Sequence, residues 1–301
     1  MRIGIFGDAV NSGTVDQLVD DVRTAESQGF ATFWSPQIFG LDALTALAVA
    51  GHEVPRIELG TAVVPTYPRH PMMLAQQALT VQQASGGRLC LGIGLSHQIV
   101  IEALMGMSFE KPVRHLREYL SVLGPLVRGE GASFQGEVYK VQIGLSVSGI
   151  PPVPVVVAAL GEQMLRVAAK LADGTLTWCT GPATLASHIV PTIRAAADEF
   201  ERPAPRVIAA LPVCVTSDVA GAKERASGIF AMYGQLPSYR AMLDKEGAAG
   251  PADIVIAGSA AEVGERIAAL GAIGVTDFAA VEFSTDPDEA AATRELLKSL
   301  L

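Results

Sequence analysis

Between Ala158 and Pro182 the chain reads AALGEQMLRVAAKLADGTLTWCTGP, a run of residue types that can bind a phosphate. An apolar strand ends at Ala158, Ala159 and Leu160, Gly161 makes the turn, and a helix starts at once. The first N–H groups of a helix have no intrahelical partner and sit at the positive end of its dipole. They can hold an anion without any lysine. One strand further on, Thr180 and Gly181 offer a hydroxyl and another N–H. Each glycine alone reads as an ordinary turn residue. On adjacent strands the two together point to a phosphate site, and so to a phosphorylated cofactor.

Other reactive groups are sparse. The five histidines, His52, His70, His97, His115 and His188, form no HxH or HExxH, and no strand ends in a cluster of His and Asp. No metal centre is expected. Gly92-Ile93-Gly94-Leu95-Ser96 resembles a GxSxG elbow only superficially, because the serine is misplaced, and no GxxxxGK[ST] loop is present. The reactive group is therefore expected to come from a bound cofactor. His97 titrates in the range that suits proton transfer near neutral pH, although a histidine capping a loop reads equally well. Gln37 can donate and accept a hydrogen bond but does not titrate near neutrality. Trp34 and Tyr67 either wall an apolar substrate pocket or pack at the rim of the fold.

Positioning such groups takes a regular scaffold. Eight apolar runs read as buried strands, at 2–6, 32–35, 58–64, 89–95, 153–159, 175–179, 207–216 and 277–282. Helical patterns lie between and after them, at 14–28, 42–50, 70–84, 112–127, 162–172, 184–200, 218–232, 260–270 and 287–300. Eight β/α pairs in a row predict a (β/α)8 TIM barrel, one domain over residues 1–301. An open doubly wound sheet is the alternative, but the first strand is followed by GIFGDAVNSG, whose glycines do not have dinucleotide-binding spacing. In a barrel the site lies at the C-terminal ends of the strands. Gln37, Tyr67, Gly94, His97, Leu160 and Thr180 all fall there. Long connections at 96–111, 129–152 and 233–252 are expected insertions on that face, the last with a short helix.

Half of the residues are apolar, 18% are charged, and the formal net charge is -9. That balance argues against nucleic acid or an anionic membrane as a partner, since both need basic surface. The N-terminal apolar run is short and interrupted by Asp8, and the run at 150–160 falls well below the roughly 20 residues that cross a bilayer. Cys90, Cys179 and Cys214 lie in strand-like runs and read as buried thiols. A cytoplasmic protein is expected.

Three pieces then carry a family resemblance: FWSPQIFGLDALTALAVAG, IELGTAVVPTYPRHPMMLAQQALTVQQASGGRLCLGIGLSH and the phosphate-binding run above. Together they span residues 33–182, and the tail at 206–282 agrees more loosely. The chain resembles the bacterial luciferase-like flavin and deazaflavin oxidoreductases, most of all their coenzyme F420-dependent branch. The resemblance implies a (β/α)8 barrel with a bulge after the third strand. A non-proline cis peptide there, at or near Ala62-Val63, would prop the cofactor ring from behind. It also implies a phosphate held at Leu160, Gly161, Met164, Thr180 and Gly181, with Gly94 and Ala159 beside the cofactor, and often a homodimer.

The chain departs from the family in three places. Pro36-Gln37 stands where members often carry Asp-His, Ser96-His97 where some have an acid, and Pro182 where some have a lysine. A sugar phosphate substrate is therefore not expected. The resulting reading is an F420-dependent oxidoreductase acting on a small organic molecule, with His97 handling the proton and Gln37 placing the substrate. The alternatives are an FMN-dependent monooxygenase using reduced flavin and oxygen, and a flavin-binding protein without turnover.

Overall fold

A computed structural model of the chain describes residues 1–7, 9–147 and 149–301. Eight parallel strands close into a ring: β1 (Arg2–Phe6), β2 (Thr32–Ser35), β3 (Glu58–Thr61), β5 (Leu89–Gly94), β8 (Val155–Val157), β9 (Gly174–Trp178), β10 (Arg206–Val215) and β12 (Asp277–Glu282). The ring closes through β10, which pairs with both β9 and β12, and through β1, which pairs with β12 and β2. This is the (β/α)8 TIM barrel predicted from the pattern of apolar runs. β4 (Val64–Pro65) continues β3 after a short break and pairs with β5.

Side chains along the strands alternate between the barrel interior and the helical shell. Leu89, Leu91 and Ile93 join the large outer core, whereas Cys90 belongs to the interior layer with Trp34, Val156, Leu176, Ile208 and Ala279. Both faces of the strands are covered, which is why they read as unbroken apolar runs. Trp34 is fully buried here. Its ring takes the space a side chain at residue 60 would need, since a Cβ on Gly60 would lie 2.2 Å from Trp34 Cε3. The N-terminal end of the barrel is closed by charge. Arg206 bonds Glu58 at 2.9 Å and Asp277 at 2.7 Å, and Arg2 reaches both carboxylates.

The helices are α1 (Ala9–Ser12), α2 (Val15–Ser27), α3 (Ala43–Glu53), α4 (Pro71–Ala84), α5 (Pro112–Val127), α6 (Glu162–Leu171), α7 (Pro182–Thr184), α8 (Val190–Glu199), α9 (Val219–Ile229), α10 (Pro237–Glu246), α11 (Ala260–Ala272) and α12 (Pro287–Ser299). Their starts follow capping chemistry. Thr14 and Gln17 exchange side-chain and backbone bonds at α2, as Ser259 and Glu262 do at α11.

Two helical expectations need correction. α3 runs through Gly51 to Glu53 instead of stopping before it; the glycine there serves packing, since a Cβ would meet Ser85 Cβ at 2.7 Å and Leu59 Cδ1 at 2.9 Å. The 184–200 helix is split into α7, a π-helical turn Leu185–Ile189, and α8. The 129–152 connection contains the hairpin of β6 (Ala132–Gln135) and β7 (Lys140–Ile143), which packs along α5. Three N–H groups of its turn donate to Glu118. The 216–255 excursion carries α9, a 3-10 turn Ala231–Gln235 and α10, and β11 (Ile256–Gly258) then pairs with the upper half of β10.

Candidate active site

A cavity of about 770 Å³ opens at the C-terminal ends of the strands, within the size range of small-molecule and cofactor sites. One wall is the Ala62–Val63 segment between β3 and β4, whose peptide bond is cis, as the family resemblance implied. Gly94, at the end of β5, leaves room for it, since a Cβ there would meet Val63 Cγ2 at 2.7 Å.

Leu160, Gly161 and Met164 line an adjoining wall. Gly161 is the N-cap of α6 and contributes no side chain of its own, and among the described residues no side chain accepts from the first N–H groups of this helix. A Cβ added at Gly161 would meet nothing within 4 Å. This helix end is open and faces the cavity, as a phosphate site requires. His188, on the π-helical turn, donates from Nε2 to Leu160 O at 2.8 Å and so ties the turn in place. Ala159 lies behind the wall, fully buried, with its carbonyl accepting from Thr175 Oγ1.

The second half of the expected phosphate site is elsewhere. Neither Thr180 nor Gly181 is among the residues lining the cavity. Thr180 donates its hydroxyl to Trp178 O at 3.2 Å. The helix end at Gly181 is already filled: the Glu246 carboxylate, from the end of α10, accepts from Ala183 N at 3.1 Å and Thr184 N at 2.6 Å. A Cβ on Gly181 would lie 2.3 Å from the Glu246 carboxyl carbon. The two helix ends therefore do not form one anion site. One is open, and the other is neutralised by the chain's own carboxylate.

His97 lines the cavity and stands edge-on to Tyr233 and Tyr239, with ring centroids 6.4 and 5.8 Å away. Burial holds its imidazole below the ordinary value of 6.5. Gln37 also lines the cavity; its Oε1 accepts from Ala43 N at 2.7 Å, which leaves the amide Nε2 to meet a ligand.

The two aromatic pocket residues expected from sequence are both displaced. Trp34 points into the barrel core below the cavity, because its position on β2 faces inward at a deeper layer. Tyr67 lies one layer back. It is sandwiched between Phe109, which does line the cavity, and His115, whose ring is parallel to it at 3.9 Å.

The aromatic wall comes instead from residues that sequence reasoning passed over: Trp178 at the end of β9, Phe230, Tyr233, Tyr239 and Phe283. Trp178 was accessible to prediction as the last inward position of a strand. The others sit on the 216–255 excursion and just past β12, where no period marks them as facing a cavity.

Among the described lining residues, Glu282 is the one with a carboxyl side chain, and none is a lysine or arginine. Arg294 holds it, donating from Nε to both carboxylate oxygens at 2.9 and 3.1 Å, with a closer contact from Nη2. Among the described residues, no cluster of three or more His, Cys, Asp or Glu side chains is arranged to hold a metal ion, and no helix is long and apolar enough to cross a membrane. Asp8, next to the end of β1, lies outside the described residues.

Fold and site together define a (β/α)8 barrel with an organic-cofactor-sized cavity at its catalytic face. A family model described as luciferase-like monooxygenase matches residues 1–293, and the chain belongs to that family. It is 30% identical over 237 residues to a putative coenzyme F420-dependent oxidoreductase of Mycobacterium tuberculosis, covering 70% of this chain and 66% of that protein. It is 30% identical over 165 residues to the 5,10-methylenetetrahydromethanopterin reductase of Archaeoglobus fulgidus, covering 54% of this chain and 48% of that one. The chain thus spans less than two thirds of the length of either relative. Its fold matches the coenzyme F420-dependent tetrahydromethanopterin reductase from Methanopyrus kandleri with a TM-score of 0.83, at 22% identity, over 100% of this chain and 98% of that one.

Proposed function

We propose that this protein is an F420-dependent oxidoreductase that moves a hydride between the deazaflavin and a small organic substrate. The observation that carries the reading is the uncapped N-terminus of α6, opening into the same cavity as the Ala62–Val63 peptide. The F420-dependent names of its relatives support the choice of cofactor.

The residues present suit such a cofactor. Ala62 and Val63 offer a flat backbone surface for a ring, with Gly94 giving them room. The first N–H groups of α6, at Gly161 and beyond, face outward for a phosphate on the cofactor tail, and Met164 packs beside them. When bound, F420 supplies a carbon that accepts and returns hydride.

The chain's own residues do the rest. Phe109, Trp178 and Phe230 exclude water from the chamber. Gln37 Nε2 is free to hold a substrate oxygen, while its Oε1 stays tied to the start of α3. His97, kept uncharged by its burial, gives or takes the accompanying proton at a ring nitrogen.

Titration of the purified protein with F420 and with FMN, each oxidised and reduced, tests the cofactor. Saturable binding of F420 with weak or no binding of FMN is expected. A preference for reduced FMN would replace this reading with a flavin monooxygenase, and binding of neither would remove the α6 anion site.

A further inference from the structure

We propose that the substrate of this cavity is uncharged, apolar and ring-sized, and that the cavity excludes anions. The inference rests on the oxidoreductase reading, in which the α6 N-terminus is taken by the cofactor.

The charge distribution carries it. No lysine or arginine is among the described residues lining the cavity. Arg294, which pairs with the lining residue Glu282, stands outside the lining and is fully engaged. Its Nε and Nη2 go to Glu282, its Nη1 donates to Gln28 Oε1, and its guanidinium lies over the Phe30 ring at 5.6 Å. A substrate carboxylate or phosphate would shed its water and gain no counter-charge, a cost that a buried ion repays only with a partner.

Among the described residues a cation fares little better. Both oxygens of Glu282 are already bonded to Arg294, so the carboxylate has no free charge to offer. The aromatic wall is packed against itself instead of being arranged as a cage. Trp178 is edge-on to Phe230 at 5.4 Å and to Tyr233 at 5.6 Å, Phe230 is edge-on to Phe283 at 6.0 Å, and Tyr233 is edge-on to Tyr239 at 5.3 Å. Such a surface offers an apolar ring good edge and face contacts, without the open box that holds an ammonium group. Gln37, Ser96, His97 and Ser238 are uncharged groups that can meet one polar atom on such a molecule.

The Glu282–Arg294 pair is then a selectivity device: Arg294 cancels a charge that would otherwise favour cations. Calorimetric binding of three probes of one shape tests this on the full chain with F420 saturating; without F420 only the neutral and cationic probes are compared, because the open α6 end can then take an anion. The probes are 2-acetylnaphthalene, 2-naphthoate and 2-naphthyltrimethylammonium. The neutral ketone is expected to bind at least tenfold tighter than either ion, and equal or tighter binding of either ion overturns the proposal.

In Arg294→Gln the ammonium probe should gain at least tenfold relative to the ketone, and an unchanged ratio removes the pair's role. If that variant does not fold, the probe ranking on the unmodified chain still decides the substrate class. F420 failing to bind would overturn the oxidoreductase reading, and the ketone-to-ammonium ranking would remain measurable on the unloaded chain. F420 binding with an inverted ranking would overturn the selectivity alone.

Discussion

Two histidines show how one residue type is put to different uses by its surroundings. His97 faces the cavity, and burial keeps it neutral to lower pH than a free imidazole. His97→Asn should lower turnover by about 10²–10⁴ while F420 affinity stays unchanged. The ionisation that shapes the rate profile below pH 6.5 should vanish with it. A variant with the parent's profile would remove His97 from the reaction.

His115 is buried beneath Tyr67, with Thr66 Oγ1 at 3.0 Å from its Nε2, and burial lowers its value from 6.5 to about 4. Between those values the unfolded chain binds a proton that the folded chain refuses. Stability is therefore complete above pH 6.5 and falls as pH drops towards 4, by on the order of 3 kcal/mol. His97 contributes in the same sense. Glu118, held low against its burial by three backbone N–H bonds, weakens the fold only below its ordinary 4.5. Urea midpoints measured between pH 6.5 and 4.5 should therefore fall less steeply in His115→Gln than in the parent. An equal slope would show that His115 is not buried uncharged.

At the scale of elements, α6 and α7 present the same device with opposite occupancy. The open end of α6 can be closed on purpose. Gly161 has φ -77° and free space at its Cβ, so Gly161→Asp should fold with a stability change of only a few tenths of a kcal/mol. The new carboxylate would take the helix N–H groups itself and repel a phosphate. F420 affinity should drop tenfold or more by fluorescence titration, and unaltered affinity would place the phosphate elsewhere.

The α7 end is closed already by Glu246, which pins α10 and with it the excursion that carries Tyr233 and Tyr239. Glu246→Ala leaves two amides without their acceptor and should cost about 1.5–3 kcal/mol. Hydrogen exchange should accelerate most in α10 and at Ala183 and Thr184. Uniform exchange across the chain would mean the excursion is held by packing alone.

The whole molecule separates stability from chemistry along the barrel axis. Ion pairs seal the N-terminal end, and the cavity lies at the other. Arg206→Ala would leave Glu58 and Asp277 facing Arg2 alone, and should cost about 3 kcal/mol in urea unfolding with no change in F420 affinity. A loss of affinity as large as the loss of stability would show the two ends to be coupled.

Much of the barrel was readable in advance because its signals are local. All eight ring strands appear as apolar runs between breakers, and α2, α3, α4, α9, α11 and α12 start at side chains that cap them. The hairpin of β6 and β7 and the strand β11 escaped notice, since each is short and only half-buried or paired late. Of the site, Gly161 with its adjacent helix was legible for the same local reason, as was the placement of Gln37 and His97 just after strands.

What the sequence alone determined about this protein is its period: a strand, a helix and a turn, repeated until the ring closes, with glycine turns at Gly161 and Gly181 that read together as an anion site. Only the tertiary structure decided which helix end stays open, because Glu246 reaches Thr184 from 62 residues away. It likewise decided that Trp34 fills the barrel and that Trp178, Phe230 and Tyr233 wall the cavity. Hydrogen-bonded periodicity is written over a few neighbouring residues. The identity of the group that meets a helix end or a ring face depends on loop closure across the molecule, which no local pattern records.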